Sequence, residues 1–191
     1  MKAAISATYV ALSFAILLLS SDNYKSALGQ AQQQFQNYKN PTLGISIQYP
    51  PDWQIDEKRP NDINIYKQKG IVYVSVGSDD LDSSSSSSSQ ATATPNAQLS
   101  EYVSSQISKR IEDKEDFALL ESGPVTISGD RLAHRALYTF VKGEEEINPG
   151  EINKVIRIWT IIGDKAYDIA YVAESNLFDR YLPIFQRTDN N

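Results

Sequence analysis

Apolar positions along the chain fall into short alternating runs and two stretches of helical spacing. Gly44 to Tyr49 predicts a strand with Ile45 and Ile47 on one face, since strand side chains alternate with a period of two. Pro50-Pro51 ends it, because neither proline can donate to a ladder, and Trp53 and Ile55 continue as a second short extended piece. Ile63–Tyr66 and Ile71–Val76 flank Lys67-Gln68-Lys69-Gly70 as a hairpin. Its second strand is apolar on both faces, Val72, Val74 and Val76 against Ile71 and Tyr73, which predicts a central strand covered on two sides.

The period then changes. Leu99, Val103, Ile107 and Ile111 recur four apart with Tyr102 beside them, predicting a helix from an Asn96 N-cap to about Lys114. Phe117–Ile127 and Arg131–Val141 predict a strand pair across Ser128-Gly129-Asp130. After an acidic loop from Lys142 to Glu151, Asn153–Ile162 and Ala166–Ala173 predict another pair across Gly163-Asp164-Lys165. Leu177, Phe178, Tyr181, Ile184 and Phe185 lie at helical spacing. Pro183 predicts a break there: one helical turn ending near Tyr181, then a second helix with the proline at its first position. This order predicts an α+β domain, an antiparallel sheet packed by helices.

Both ends of that pattern have another character. Lys2 precedes an uncharged stretch from Ala3 to Ser21, and Ala27-Leu28-Gly29 supplies small residues for cleavage before Gln30. Residues 1–29 therefore read as a signal peptide, with an uncleaved membrane anchor as the alternative, and the chain as exported. Residues 30–36 read as a flexible lead-in to a single domain at 37–188. Within it, Ser83 to Ser89 cannot bury apolar surface, so residues 78–97 are predicted as a disordered Ser-rich loop, with O-linked sugar as the less favoured reading.

Composition narrows the chemistry. The net charge of -6 disfavours nucleic acid and anionic lipid as partners, leaving membrane contact to the N-terminal segment if it is retained. With no cysteine, stability comes from packing, and thiol catalysis, thiolate metal sites and a lipoprotein anchor are excluded. Phosphate-binding glycine loops are absent. His134 is the only histidine; its alternation with Leu132, Ala136 and Tyr138 places it on a partly buried sheet face. A hydrogen-bonded structural role is the plain reading and a general base or metal ligand the sharper one, without a Gly-x-Ser-x-Gly elbow to serve it. Asp79, Asp80 and Asp82, and Glu144, Glu145 and Glu146 with Glu151, are oxygen-rich runs suited to Ca²⁺ or Mn²⁺, as is the stretch from Glu112 to Asp116. The calcium-loop pattern fails beyond Ser84, so solvated charge is the simpler reading. Tyr66, Tyr73, Tyr138, Tyr167 and Tyr171 read as sheet packing before partner surface.

Five stretches in order resemble the PsbP-like family: Gly44 to Trp53, Leu99 to Val103, Gly129 to Tyr138, Ala166 to Ala173 and Tyr181 to Phe185. The resemblance spans residues 35–187 and implies an αβα sandwich of the PsbP/Mog-like type. It further implies an extracytoplasmic accessory or binding protein, secreted or tethered at the outer face of the cytoplasmic membrane. Such a protein would be non-catalytic, carry no cofactor beyond weak Ca²⁺ or Mn²⁺ binding, and serve a protein partner in a membrane or envelope complex. The polyserine run departs from the family pattern. The alternatives are a secreted hydrolase using His134 and a surface protein that binds divalent cations.

Overall fold

The computed structural model describes residues 35–59, 61–81, 94–127 and 129–186. The predicted leader, most of the lead-in, the polyserine run and Asp82 lie outside the described residues. Gln36–Asn40 (β1) and Ile45–Tyr49 (β2) pair antiparallel as a two-stranded sheet. Gln54–Arg59 (β3), Asp62–Gln68 (β4), Val72–Asp80 (β5), Ala118–Ile127 (β6), Arg131–Val141 (β7), Ile152–Ile162 (β8) and Lys165–Glu174 (β9) form a seven-stranded sheet in the order β3-β4-β5-β9-β8-β7-β6. Every neighbouring pair is antiparallel. Helices Pro95–Asp113 (α1) and Ser175–Phe185 (α2) complete the domain.

Alternation splits the sheet into two apolar faces. One buries Ile63, Ile65, Val72, Val76, Ile156, Ile158, Ile169 and Tyr171 beneath α2 and the β1–β2 pair, through Phe178, Leu43, Ile45 and Trp53. The other buries Tyr138, Phe140, Val155, Trp159 and Val172 beneath α1, through Leu99 and Val103. Each large apolar side chain removed from water in this way contributes about 1.5–3 kcal/mol. The result is an α+β sandwich with the sheet between helical layers. β5 is central and covered on both sides, as its two apolar faces predict. Tyr138, Tyr167 and Tyr171 are core residues.

Four boundaries differ from the sequence reading. The predicted loop at 78–97 gives way to a strand at its first residues: Ser78, Asp79 and Asp80 continue β5 against Tyr167, Ala166 and Lys165, and Asp80 ion-pairs with Lys165. At its far end the N-cap is Thr94, not Asn96; its side chain accepts from the Ala97 amide, and Pro95 takes the first turn, where a missing N–H costs nothing. Pro183 lies inside one continuous helix. Only the Asp179 carbonyl loses its partner, at an exposed residue where water can serve it, while Phe185 stacks on Tyr171 at 5.4 Å and holds the last turn to the core. Gln36, assigned to the lead-in, pairs with Tyr49 in β1.

Candidate functional site

Strand register brings distant residues into one row. Asp62 on β4 lies opposite Gly77 on β5, Gly77 opposite Asp168 on β9, Asp168 opposite Trp159 on β8, and Trp159 opposite His134 on β7. Residues directly opposite share a sheet face, so this row points to the α1 side. Beyond the shelter of α1 it opens into a cleft of about 540 Å³ lined by Arg59, Asn61, Asp62, Ser75, Gly77, Ser78, Asp79, Arg157 and Asp168.

Asp168 organises the inner wall. Its Oδ2 accepts from Arg157 Nη1 at 2.6 Å, from Arg110 Nη2 of α1 at 3.0 Å and from Trp159 Nε1 at 3.2 Å. Arg157 also donates from Nε to the Tyr138 hydroxyl at 3.0 Å. Burial alone would lower the Arg157 guanidinium, but the Asp168 charge and the two hydrogen bonds outweigh it and hold the group above its ordinary range. Tyr102 of α1 donates to Asp79 Oδ2 at 2.9 Å; burial and then that bond raise the phenol, keeping it a donor. Helix α1 is thus tied to the cleft through two aspartates.

Asp62 is poorly served by comparison. Ser75 donates to it at 3.4 Å and Arg59 stands 4.0 Å away. Burial, the largest influence, raises its carboxyl; Arg59 and Ser75 pull it back without offsetting the shift. A raised carboxyl binds protons more readily in the folded state, so its contribution is fully present below the ordinary aspartate value of about 3.9 and is lost as pH rises through the higher folded one. Asp62→Asn is therefore expected to raise the melting temperature at pH 7, with the gain vanishing near pH 3, as scanning calorimetry at both pH values would read.

The residues singled out from sequence do not assemble into one centre. His134 Nε2 lies 2.7 Å from Ser122 Oγ, and its ring sits 6.4 Å from that of Trp159. Burial holds the imidazole below its ordinary range, so it is neutral at pH 7. Asp79 and Asp80 point to opposite faces of β5, one to Tyr102 and the other to Lys165. Glu146 pairs with Lys114, and Glu144 and Glu145 are exposed. Among the described residues no three His, Asp or Glu side chains converge as a metal site. Sequence reasoning passed over Asp62, Gly77, Arg157 and Asp168. The available signal was a lone charge inside an apolar strand, Arg157 in VIRIW and Asp168 in AYDIAY.

A seven-stranded antiparallel sheet carrying α1 on one face and α2 with a β-hairpin on the other defines an α+β domain of the αβα sandwich class. The chain belongs to the PsbP-like protein family, whose profile matches residues 15–190. The match begins inside the segment read as a leader. The solution structure of cyanobacterial PsbP (CyanoP) from Synechocystis sp. PCC 6803 is similar at a TM-score of 0.52 and 12% identity, covering 86% of this chain and 95% of that one. A putative regulator of unknown function from Pseudomonas aeruginosa is similar at a TM-score of 0.49 and 13% identity, over 80% of this chain and 91% of that one. The Saccharomyces cerevisiae Ran-binding protein Mog1p is similar at 0.48 and 8%, over 78% and 82%. No curated protein sequence matches the chain. Among the described residues no helix is long and apolar enough to cross a membrane.

Proposed function

We propose that the protein is an exported, non-catalytic accessory protein that binds a protein partner within a membrane or envelope complex. The observation that carries this reading is the family match along residues 15–190. The uncharged N-terminal stretch supports export, and the use of the cleft's inner charges in mutual ion pairs supports binding over turnover. Strand β6 offers a surface for the partner: it ends the sheet, and Leu119 and Leu120 are 43% and 53% exposed beside a bulge. Tagged full-length protein captured from native membranes is expected to bring down one protein in near-stoichiometric amount, with loss of about tenfold or more for Leu119→Asp/Leu120→Asp. Recovery no greater than from a tag-only control would overturn the reading.

A second reading, a secreted hydrolase using His134, draws on the 2.7 Å contact with Ser122. An activity found by substrate screening and abolished by His134→Ala would establish it, and an activity untouched by that change would end it.

A further inference from the structure

Gly77 sits in the interior of a central strand, where glycine is costly because it gives up the most conformational freedom and packs nothing. Neither usual reason for it holds here. Its φ is not positive, and a Cβ built on it meets only the Asn61 carbonyl oxygen, at 3.5 Å, an ordinary contact. What the missing side chain does is leave space. Gly77 forms the floor between Asp62 and Asp168, whose backbones lie two strand spacings, roughly 10 Å, apart on one sheet face. On one side the neighbours on that face are small as well, Ser75 on the same strand and Ala170 opposite it; on the other stands Asp79, held by Tyr102.

The walls of this space carry both signs. Among the described residues Asp62 has only a long hydroxyl contact and a distant guanidinium that is 80% exposed. Asp168 places all three of its donors on Oδ2, leaving Oδ1 free among the described residues. On the other side Arg157 uses Nε and Nη1, leaving Nη2 as a spare donor among the described residues, and Arg59 stands at the rim. A lining that carries both signs suits a small molecule with a cationic end and an anionic end, and the cleft volume is in the range of such sites.

We propose that the Gly77-floored cleft binds a small zwitterion of the α-amino-acid class, its ammonium between Asp62 and Asp168 and its carboxylate on Arg157 Nη2 and Arg59. This stands apart from the partner reading, since it is measured on the isolated chain. Calorimetric titration of the full-length protein with L-arginine, L-glutamate and L-serine tests it, with ethylammonium and acetate as single-charge controls. At least one amino acid is expected to bind about tenfold or more tighter than either control. Gly77→Val, which fills the floor with a residue that favours strands, and Asp62→Asn are each expected to weaken binding about tenfold or more while the melting temperature stays at or above the wild-type value. Absence of heat with all three amino acids at about 10 mM overturns the proposal. So does a single-charge control that binds as well, or undiminished binding by Gly77→Val.

Discussion

Replacing Glu174 by alanine is expected to lower the stability of the domain by about 3–5 kcal/mol, because it strands a buried ammonium. The Lys142 side chain is 0% exposed and that of Glu174 is 7% exposed, so neither charge has water to fall back on. Lys142 Nζ spends its three donors on Glu174 Oε1 at 2.7 Å, the Ile147 carbonyl at 2.8 Å and the Gly70 carbonyl at 3.0 Å. Asn148 Nδ2 adds a donor to the same carboxylate oxygen at 2.8 Å. Two of these partners belong to the acidic loop after β7, so the ion pair fastens that loop and its glutamates over the end of the sheet. Ile147 closes the same corner from outside: its Cδ1 lies 2.9 Å from where a Cβ on Gly70 would stand, and Gly70 has φ +72°. Urea unfolding should show the midpoint falling at unchanged slope. Lys142→Met combined with Glu174→Leu should recover much of the loss, since buried ion pairs replaced together by apolar residues are often neutral. A Glu174→Ala protein within about 1 kcal/mol of wild type would show the pair to be dispensable.

The same pair sets an acid limit. Burial on its own would raise the Glu174 carboxyl, but the hydrogen bonds from Lys142 and Asn148 and the Lys142 charge outweigh it and hold the group below its ordinary range. Its stabilisation is therefore fully present above the unfolded value of about 4.3 and lost as pH falls through the folded one. Asp62 runs the opposite way, favouring the fold at low pH. The acid limb of wild-type unfolding should accordingly flatten in Glu174→Gln and steepen in Asp62→Asn.

The strands were legible because alternation is a local property. Ile71 to Val76 announced a doubly covered strand through its own two faces, and the turn glycines at 129 and 163 marked where pairs fold back; both have positive φ. The α1 stripe was legible in direction but overran its support. Leu99 and Val103 are buried, whereas Ile111 is 57% exposed. Local signals failed where the deciding contact was remote. Thr94 ends a run of small polar residues and could not be told from its neighbours as a cap. Pro183 signals a break locally because the contact that holds the last turn, Phe185 on Tyr171, joins two elements. The cleft was hidden for the same reason: Asp62, Gly77 and Asp168 meet only because β5 pairs with a strand some ninety residues later. His134 was placed correctly on a half-buried face, but its neighbour Ser122 follows from the β6–β7 register.

Asp168→Ala is expected to cost about 2–4 kcal/mol, somewhat below the figure for a fully buried pair because the site keeps some contact with water. Asp168, Arg157 and Arg110 have side chains 19%, 17% and 17% exposed. Removing the carboxylate leaves two guanidiniums facing each other and the Trp159 indole N–H without its acceptor. Helix α1 should feel this first. Only Leu99 and Val103 of its residues are buried, so the Arg110–Asp168 and Tyr102–Asp79 bonds are a large share of what fixes it to the sheet. Hydrogen exchange should accordingly show α1 amides losing protection well before those of β8 and β9, whose ladders stay intact. Arg110→Ala should cost less, about 1 kcal/mol, because Asp168 keeps Arg157 and Trp159 as donors. Since removing Arg110 relieves the like-charge contact that Asp168→Ala creates, the double variant should be less destabilised than the sum of the two single changes, with a coupling of about 1 kcal/mol or more. Unchanged α1 protection in Asp168→Ala would mean that the helix rests on its two apolar anchors alone, and that the aspartate serves the cleft rather than the fold.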